Sequence, residues 1–213
     1  MRYLTAVALL LLLGACTQSS TALLQTFKTA LMPRTGVIDT AKLDPRYRYL
    51  RVTHPGGISG MVLGYIDETP TGPVEVWYAS DGELLRLENG RLAGNSGLAA
   101  QWRGVRLPAL PSWPELAREP QPFRWQRERD VMPGYHYGVR DKLALTVIAP
   151  PSKTGLVGID PAKLTWFEER TEASSDDALP PARYAVDGNR VVYGEQCVSR
   201  ESCFRWQRWP AGA

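Results

Sequence analysis

From residue 47 onward, apolar and polar residues mostly alternate or form short apolar runs, and turns rich in Gly, Asn and Asp separate these segments. This pattern is typical of β-strands joined by tight turns. In the longest segment, Arg140 and Asp141 interrupt the pattern, which predicts a break there. Because the connections are short, we expect a mainly-β fold with an antiparallel meander. The predicted strands are residues 47–54, 60–67, 74–78, 84–88, 91–93, 122–129, 135–149, 164–171, 183–186, 190–193 and 202–209.

Two segments depart from the strand pattern. Residues 21–32 carry leucine and phenylalanine at helical spacing and are followed by Pro33, which predicts one amphipathic helix of about three turns. Its apolar stripe packs either against the domain or on a lipid surface. Residues 107–122 contain five prolines and cannot form a strand ladder. This segment is predicted to be a linker between two lobes or an ordered strap over the sheet, with one helical turn at residues 114–119.

The first sixteen residues have the features of an export signal. Arg2 precedes ten mainly apolar residues at 4–13, which as a helix would rise about 15 Å and so cross only half of a bilayer core. Residues 1–15 are therefore predicted to be a signal peptide. The run Leu13-Gly14-Ala15-Cys16 matches the bacterial lipobox, which predicts acylation of Cys16, for instance with palmitate, and a short tether at residues 16–20. The alternative is an ordinary secretory signal with a chance cysteine.

An exported chain meets an oxidising compartment, where paired cysteines most often form disulfides. Cys197 and Cys203 are the two cysteines left after Cys16, and we expect them to form a structural disulfide. A metal pair or a redox pair are the alternatives. Zinc would need two further ligands, and His54 and His136 are the only histidines. A redox pair would normally have C-x-x-C spacing.

Composition narrows the class of protein further. The chain has 213 residues, with 19 glycines and 17 prolines that argue against a helical bundle. We expect one mainly-β domain at residues 21–213. There are 25 basic and 22 acidic side chains, a formal net charge of +3. This small excess gives no clustered basic face of the kind that nucleic acid requires, so no nucleic-acid partner is expected.

Catalytic and cofactor motifs are missing from the sequence, so we predict a protein without catalytic activity, cofactor or metal. His54 and His136 have no carboxylate or nucleophile at a motif spacing. Glu168 and Glu169 are neighbours on one strand and should point to opposite faces, which disfavours a glycosidase pair. Carboxylates distant in sequence could still converge.

The chain contains 7 Trp, 9 Tyr and 4 Phe, and most of these are expected in the core. Trp113, flanked by prolines, is predicted to be exposed, and Trp209 lies near the C-terminus. These two residues are the candidate ligand-binding positions.

A five-residue sequence occurs twice. Residues 123–127 read FRWQR, and residues 204–208 repeat it letter for letter. In a strand, Phe and Trp would lie on one face, and the Arg and Gln that follow them would lie on the other. The repeat indicates either two equivalent strands that present an aromatic and arginine surface, or two half-buried strands with the same alternation. The second interpretation is favoured because the flanking residues differ.

Several segments resemble the YjbF/GfcB family of outer-membrane lipoproteins, which is associated with capsule and exopolysaccharide export. The matching stretches are the lipobox with Thr17-Gln18, TFKTAL at 26–31, YLRV at 49–52, VLGYI at 62–66, NGRL at 89–92 and WFEE at 166–169. The resemblance implies a large antiparallel meander sheet that is folded over on itself as a partial barrel. Similarity to other lipoproteins, with Thr17 after the cysteine, implies anchoring at the outer membrane, facing the periplasm.

The resemblance also implies an accessory role without known catalytic residues. The expected partners are the outer membrane, reached through the N-terminal lipid, and a polysaccharide or an export-machinery protein. The alternative is a carrier or chaperone that holds an apolar or acylated ligand in a half-barrel cavity. A groove lined by Trp, Tyr and Arg would favour glycan binding, whereas a dry aliphatic cavity would favour the carrier.

Overall fold

Twelve antiparallel strands account for most of the computed structural model, which describes residues 38–172 and 178–211. The predicted signal peptide, Cys16 and the predicted helix at residues 21–32 lie outside these residues. The strands are β1 (Tyr49–His54), β2 (Gly57–Thr69), β3 (Gly72–Ala79), β4 (Leu84–Glu88), β5 (Arg91–Ser96), β6 (Gln101–Arg106), β7 (Phe123–Met132), β8 (His136–Ile148), β9 (Thr165–Thr171), β10 (Ala182–Asp187), β11 (Arg190–Cys197) and β12 (Cys203–Trp209).

The strands form one sheet in the order β5-β4-β3-β2-β1-β12-β11-β10-β9-β8-β7-β6. Every neighbouring pair is consecutive in sequence except β1 and β12, which pair antiparallel with Tyr49 opposite Trp209. The two ends of this order, β5 and β6, lie beside each other. The predicted mainly-β meander is thus confirmed, and it curls into a nearly closed barrel.

A side chain bridges the gap between the two edge strands. The Asn95 side-chain oxygen accepts a hydrogen bond from the backbone N–H of Trp102 at 2.8 Å, and its amide nitrogen donates to the backbone oxygen of Ala100 at 3.0 Å. Asn95 is buried. Backbone hydrogen bonds do not join β5 to β6, which are the two ends of the sheet. The Asn95 side chain therefore supplies partners for the Trp102 N–H and the Ala100 oxygen at this gap.

Two strand predictions need correction. No strand was predicted at residues 101–106, where β6 lies, because QWRGVR is short and has few apolar residues. The predicted break at Arg140-Asp141 is wrong, because β8 runs without interruption through both residues. The Asp141 carboxylate points into the barrel and pairs with Arg127 at 2.8 Å and with Arg129 at 2.7 Å. A buried ion pair replaces the apolar residue that the strand pattern would otherwise show.

Large side chains fill the barrel. The main buried cluster draws residues from strands all around the sheet and includes four fully buried tryptophans, Trp77, Trp102, Trp113 and Trp206. A smaller cluster lies on the outer face, where Trp166, Ala185 and Tyr193 pack beneath residues 149–164. This covering segment contains a 3-10 turn, Pro161–Lys163. The Gln207 side chain fixes it by accepting from Val157 N–H at 2.9 Å and donating to Val157 O at 2.7 Å.

The proline-rich segment is an ordered strap. Its one helical turn, α1 (Trp113–Leu116), begins after Ser112, and the Glu115 carboxylate accepts hydrogen bonds from the Ser112 N–H and hydroxyl. The turn inserts Trp113 into the barrel. The Trp113 indole N–H donates to Asn89 O at 3.0 Å, and its backbone N–H donates to Asn189 Oδ1 at 3.1 Å. These contacts attach the segment to the barrel.

The cysteine pair forms the predicted disulfide, and a tight turn at Asn89-Gly90 joins β4 to β5. Cys197 and Cys203 are joined by a disulfide at the β11–β12 turn. The neighbouring residue Val198 accepts a hydrogen bond from the Trp102 indole N–H at 3.1 Å, which ties this turn to the barrel core. Asn89 and Gly90 have φ values of +48° and +76°, the signs that a type I′ turn requires.

Candidate ligand-binding groove

A groove of about 680 Å³ opens at the end of the barrel where β1 begins and β12 ends. Its volume lies within the range usual for ligand sites, about 300–1,000 Å³. The lining combines aromatic, basic and acidic side chains: Leu43, Asp44, Pro45, Tyr47, Arg48, Tyr49, Glu75, Trp77, Arg190, Arg208, Trp209 and Pro210.

One wall of the groove is the loop that precedes β1. The Tyr49 hydroxyl fixes this loop by accepting from Asp44 N–H and donating to Asp44 O, both at 3.2 Å. A tight turn adds a bond from Tyr47 N–H to Asp44 O at 3.1 Å. The Asp44 carboxylate pairs with Arg46 at 2.6 Å. Because Asp44 is bonded both to Tyr49 in β1 and to neighbouring residues of the loop, this wall of the groove is formed before any ligand binds.

The predicted binding residue Trp209 lines this groove. It is half-buried at the last position of β12, opposite Tyr49, where the chain leaves the sheet at Pro210. The Arg51 guanidinium lies 5.8 Å from the centre of its ring and is itself held by Asp39 at 2.7 Å. The indole is therefore supported from within the protein and remains partly accessible.

Arg208 and Glu75 form the inner part of the groove. The Arg208 guanidinium donates to Glu75 at 2.9 Å and to the backbone oxygen of Val191 at 2.9 Å. It lies 5.8 Å from the centre of the Trp77 ring. Trp77 is fully buried, and its indole N–H has no acceptor among the described residues. These contacts hold the groove in shape from β3, β11 and β12.

Two further arginines lie at the groove surface, Arg48 before β1 and Arg190 at the start of β11. Desolvation and the charges of Arg208 and Arg48 together lower the pKa of Arg190, although Glu75 opposes this effect. After desolvation, the positive charges of Arg208 and Arg48 thus act on Arg190 in the same direction. The groove therefore combines half-exposed aromatic rings with an excess of positive charge.

This combination suits a polar ligand with flat apolar faces. Trp and Tyr present an apolar ring with a polar edge, and arginine supplies several N–H donors in a fixed fork. Sugars match both features, since their rings have apolar faces and hydroxyl edges. Over residues 38–172 and 178–211, no group of three or more His, Cys, Asp or Glu side chains is placed to hold a metal ion.

Trp113 does not line this groove, and its predicted exposure is wrong. Its side chain is fully buried. The ring packs 4.9 Å from Phe167 and 5.3 Å from Tyr184, measured between ring centres, and the Arg91 guanidinium lies 3.8 Å above it. The flanking prolines suggested a surface loop, but they shape a strap that turns this one side chain inward. Trp113 thus contributes to the core.

The barrel also encloses charged side chains that sequence reasoning missed. Arg127 pairs with Asp141, approaches Glu169 at 3.5 Å and lies 4.4 Å from the centre of the Trp102 ring. Burial raises the pKa of Glu169, and the charges of Arg127 and Arg91 only partly offset this. For Asp141 burial acts in the same direction, but hydrogen bonds from Arg129 and the charge of Arg127 outweigh it, so its pKa falls.

The repeated FRWQR sequence is the feature from which the ion-paired arginines could have been predicted. Its two copies lie in β7 and β12, and in both the fifth residue, Arg127 or Arg208, shares the face of Phe and Trp and forms an ion pair. Trp125 and Trp206 are buried, while Arg124 and Arg205 are exposed. The repeat therefore encodes a strand whose aromatic residues face inward beside an ion-paired arginine, buried at Arg127 and partly exposed at Arg208.

His54 contacts a serine, but the geometry is the reverse of a nucleophile and its base. The His54 Nδ1 atom accepts a hydrogen bond from Gly56 N–H at 3.1 Å, which places the proton of the neutral ring on Nε2. Nε2 lies 3.0 Å from Ser59 Oγ and so donates to it. Ser59 is also buried. This pair fixes the β1–β2 turn.

The remaining candidates for acid–base chemistry are separated from one another. His136 lies at the exposed tip of the β7–β8 hairpin. Glu168 faces outward and pairs with Arg170 and Arg183, whereas Glu169 faces the barrel interior. The prediction that the two glutamates point to opposite faces is confirmed, and they do not form a pair.

In its fold and site, the molecule is a protein with one antiparallel sheet curled into a nearly closed barrel, a filled interior and an open, arginine-rich groove at one end. No helix in residues 38–172 or 178–211 is long and apolar enough to cross a membrane. Residues 41–201 match the YjbF family, described as group 4 capsule polysaccharide lipoprotein gfcB, YjbF. The chain belongs to this family.

A solved structure has a similar fold. The hypothetical lipoprotein YmcC from Escherichia coli K12 superposes with a TM-score of 0.54 at 15% sequence identity, over 78% of this chain and 85% of that one. At this identity the likeness concerns the fold. No curated protein matches the chain.

Proposed function

We propose that this protein is an accessory factor of capsule or exopolysaccharide export, anchored by a lipid on Cys16 to the periplasmic face of the outer membrane. In this proposal it binds the exported polysaccharide in the groove around Trp209. The observation that carries the proposal is the groove itself, about 680 Å³ and lined by Trp, Tyr and Arg side chains. The family description as a capsule polysaccharide lipoprotein supports the same ligand.

The groove favours a glycan over the alternative apolar or acylated ligand. An acyl chain needs an aliphatic, dry cavity, and binding it here would desolvate arginine and carboxylate groups without replacing their hydrogen bonds. The sugar hydroxyls of a glycan would supply such bonds. Inside the barrel, the space that a half-barrel carrier would use is occupied by buried tryptophans.

A role without catalysis accords with the side chains present. His54 donates to a buried serine, and Glu168 and Glu169 lie on opposite faces of β9. The family description names no enzymatic activity. Binding by several contacts predicts graded losses on mutation, whereas catalysis predicts near-complete loss from one acid or base.

The test is to delete the gene in a producing strain, restore it with variants and measure the secreted polysaccharide. We expect Trp209→Ala to reduce export by a graded amount. Tyr137→Ala is the matched control because it removes an exposed aromatic side chain, 67% accessible, that does not line the groove. Cys16→Ser should impair export because the domain would no longer be held at the membrane.

Three outcomes contradict the proposal. Full export by a strain carrying Trp209→Ala would show that the groove is not needed for export. Full export by the Cys16→Ser variant would indicate a diffusible carrier. Complete loss in a folded His54→Ala or Glu168→Gln variant would indicate an enzyme.

A further inference from the structure

Two half-buried aromatic side chains of the groove lining, Tyr47 and Trp209, have the same kind of support. The Arg46 guanidinium lies 5.7 Å from the centre of the Tyr47 ring, and the Arg51 guanidinium lies 5.8 Å from the centre of the Trp209 ring. Both distances are within the usual range of cation–π attraction, about 6 Å. Neither arginine belongs to the groove lining. Each ring is therefore contacted by a guanidinium from outside the groove and still borders the groove itself.

Each supporting arginine is in turn held by an aspartate. Arg46 donates to the two carboxylate oxygens of Asp44 at 3.1 and 2.6 Å, and Arg51 donates to those of Asp39 at 2.7 and 3.0 Å. Two parallel hydrogen bonds of this kind fix the plane of a guanidinium group. A ring that packs on a fixed plane loses less side-chain freedom when a ligand binds, so both rings are preorganised for contact.

This support distinguishes the two groove residues from the other aromatic residues that a guanidinium approaches. Those other rings are buried and belong to the core: Trp77, Trp102, Trp113, Trp125 and Tyr184. In the part of the chain that the structure describes, Tyr47 and Trp209 are the two partly accessible rings with such a contact. Both of them line the same groove.

The two rings lie on different walls of the groove, within reach of one ligand. Tyr49 is opposite Trp209 in the β1–β12 ladder, which places their Cα atoms about 4.5–5.5 Å apart. Tyr47 comes two residues earlier, a step of at most about 7 Å. The Cα atoms of Tyr47 and Trp209 are therefore within about 13 Å of each other. Tyr47 belongs to the loop before β1, and Trp209 is the last residue of β12.

We infer that Tyr47 and Trp209 are two stacking platforms for separate sugar units, so that the groove recognises an extended segment of a polysaccharide and not a single sugar. This inference rests on the glycan-binding role proposed above, and it adds a second binding residue and the length of the ligand. Sugar rings have apolar faces that pack on aromatic rings. Successive units of a polymer present such faces repeatedly, which suits two platforms on the walls of one groove.

Two separate platforms predict losses of affinity that multiply. Removing either ring should weaken binding of a long oligosaccharide about fivefold, because aromatic side chains dominate contacts of this kind. Removing both should weaken it about 25-fold, since the effects of independent sites add in free energy. If the two rings instead held one sugar between them, the double variant would bind little worse than either single variant. Tyr47→Phe should bind like the wild type because its ring remains.

The experiment uses the full-length protein, purified in detergent, and oligosaccharides of increasing length prepared by partial hydrolysis of the polysaccharide that producing cells export. Calorimetry gives the affinity of the wild type, Tyr47→Ala, Trp209→Ala, the double variant and Tyr47→Phe. Tyr47→Ala keeps the backbone N–H that bonds Asp44 O, so the loop retains its turn. Tyr137→Ala is the control because it removes an exposed tyrosine that does not line the groove. Circular dichroism and urea unfolding confirm that each variant is folded.

We expect wild-type affinity to rise about fivefold or more from a single sugar unit to the longer oligosaccharides, and Tyr47→Ala to abolish this rise. Four results overturn the inference and leave glycan binding intact: equal wild-type affinity for all lengths, a loss in Tyr47→Ala no larger than in Tyr137→Ala, a double variant no weaker than either single variant, or a loss in Tyr47→Phe as large as in Tyr47→Ala. Binding of none of the oligosaccharides to the wild type contradicts the proposed function itself.

Discussion

Replacing Trp113 by alanine should remove the plug of the barrel and destabilise the protein severely. Truncation of a buried Trp to Ala typically costs about 3–5 kcal/mol. The Arg91 guanidinium 3.8 Å above the ring adds about 2 kcal/mol if desolvated, and the bond to Asn89 O adds about 1 kcal/mol. Because such contributions are not additive, we expect the free energy of unfolding to fall by about 4 kcal/mol or more. This is a large part of the roughly 5–15 kcal/mol by which folded domains are usually stable.

Urea unfolding, followed by circular dichroism, measures this loss. Trp113→Phe keeps an aromatic ring beside Phe167 and Tyr184 but loses the hydrogen bond to the Asn89 backbone oxygen. It should therefore lower the free energy of unfolding by about 1–2 kcal/mol. Trp209→Ala, at a half-buried position in the groove, should cost about 1 kcal/mol or less. A Trp113→Ala variant within 1 kcal/mol of the wild type would refute the buried position of this side chain.

Three further predictions concern a turn, a buried carboxyl and the anchor. Gly90→Ala should be about 2 kcal/mol more destabilising in urea than Gly188→Ala. Both glycines have positive φ, but only at Gly90 would a new Cβ lie 2.3 Å from Val191; equal losses would contradict the packing of this turn. Burial raises the pKa of Glu169, so above the ordinary pKa the unfolded chain releases a proton that the folded chain retains, and stability falls as pH rises. Relative to the wild type, the Glu169→Gln variant should therefore gain free energy of unfolding as pH rises above the ordinary glutamate pKa, and a constant difference would argue against the raised pKa. Mass spectrometry of protein from membranes should find acyl chains on an N-terminal Cys16, and an unmodified N-terminus elsewhere would contradict lipidation.

Much of the sheet could be predicted because period-two alternation and turn dipeptides are local signals. Asn89-Gly90 specified its turn from the φ values that these two residues tolerate. The pairing of β1 with β12 could not be predicted in this way, since it joins residues about 160 positions apart and depends on the curl of the whole sheet. Nor could the side-chain bridge at Asn95, which depends on how nearly the sheet closes.

The candidate site was predicted only in part. Trp209 was proposed as an aromatic residue in the last predicted strand, and it lines the groove. Trp113 was misplaced because its proline neighbours indicate a loop but give no information about which way the loop folds. The groove arginines gave no local signal, since Arg48, Arg190 and Arg208 come from three separate strand ends that meet only in the barrel.

The most direct test of glycan binding in the groove is hydrogen–deuterium exchange of the full-length protein with and without the exported polysaccharide. The account predicts slower exchange confined to residues 43–49, the start of β11 at Arg190 and the end of β12 at Trp209. The same protection should be absent in Trp209→Ala at equal polysaccharide concentration. No change on addition of polysaccharide, or protection only at other surfaces such as the β7–β8 hairpin, would contradict it.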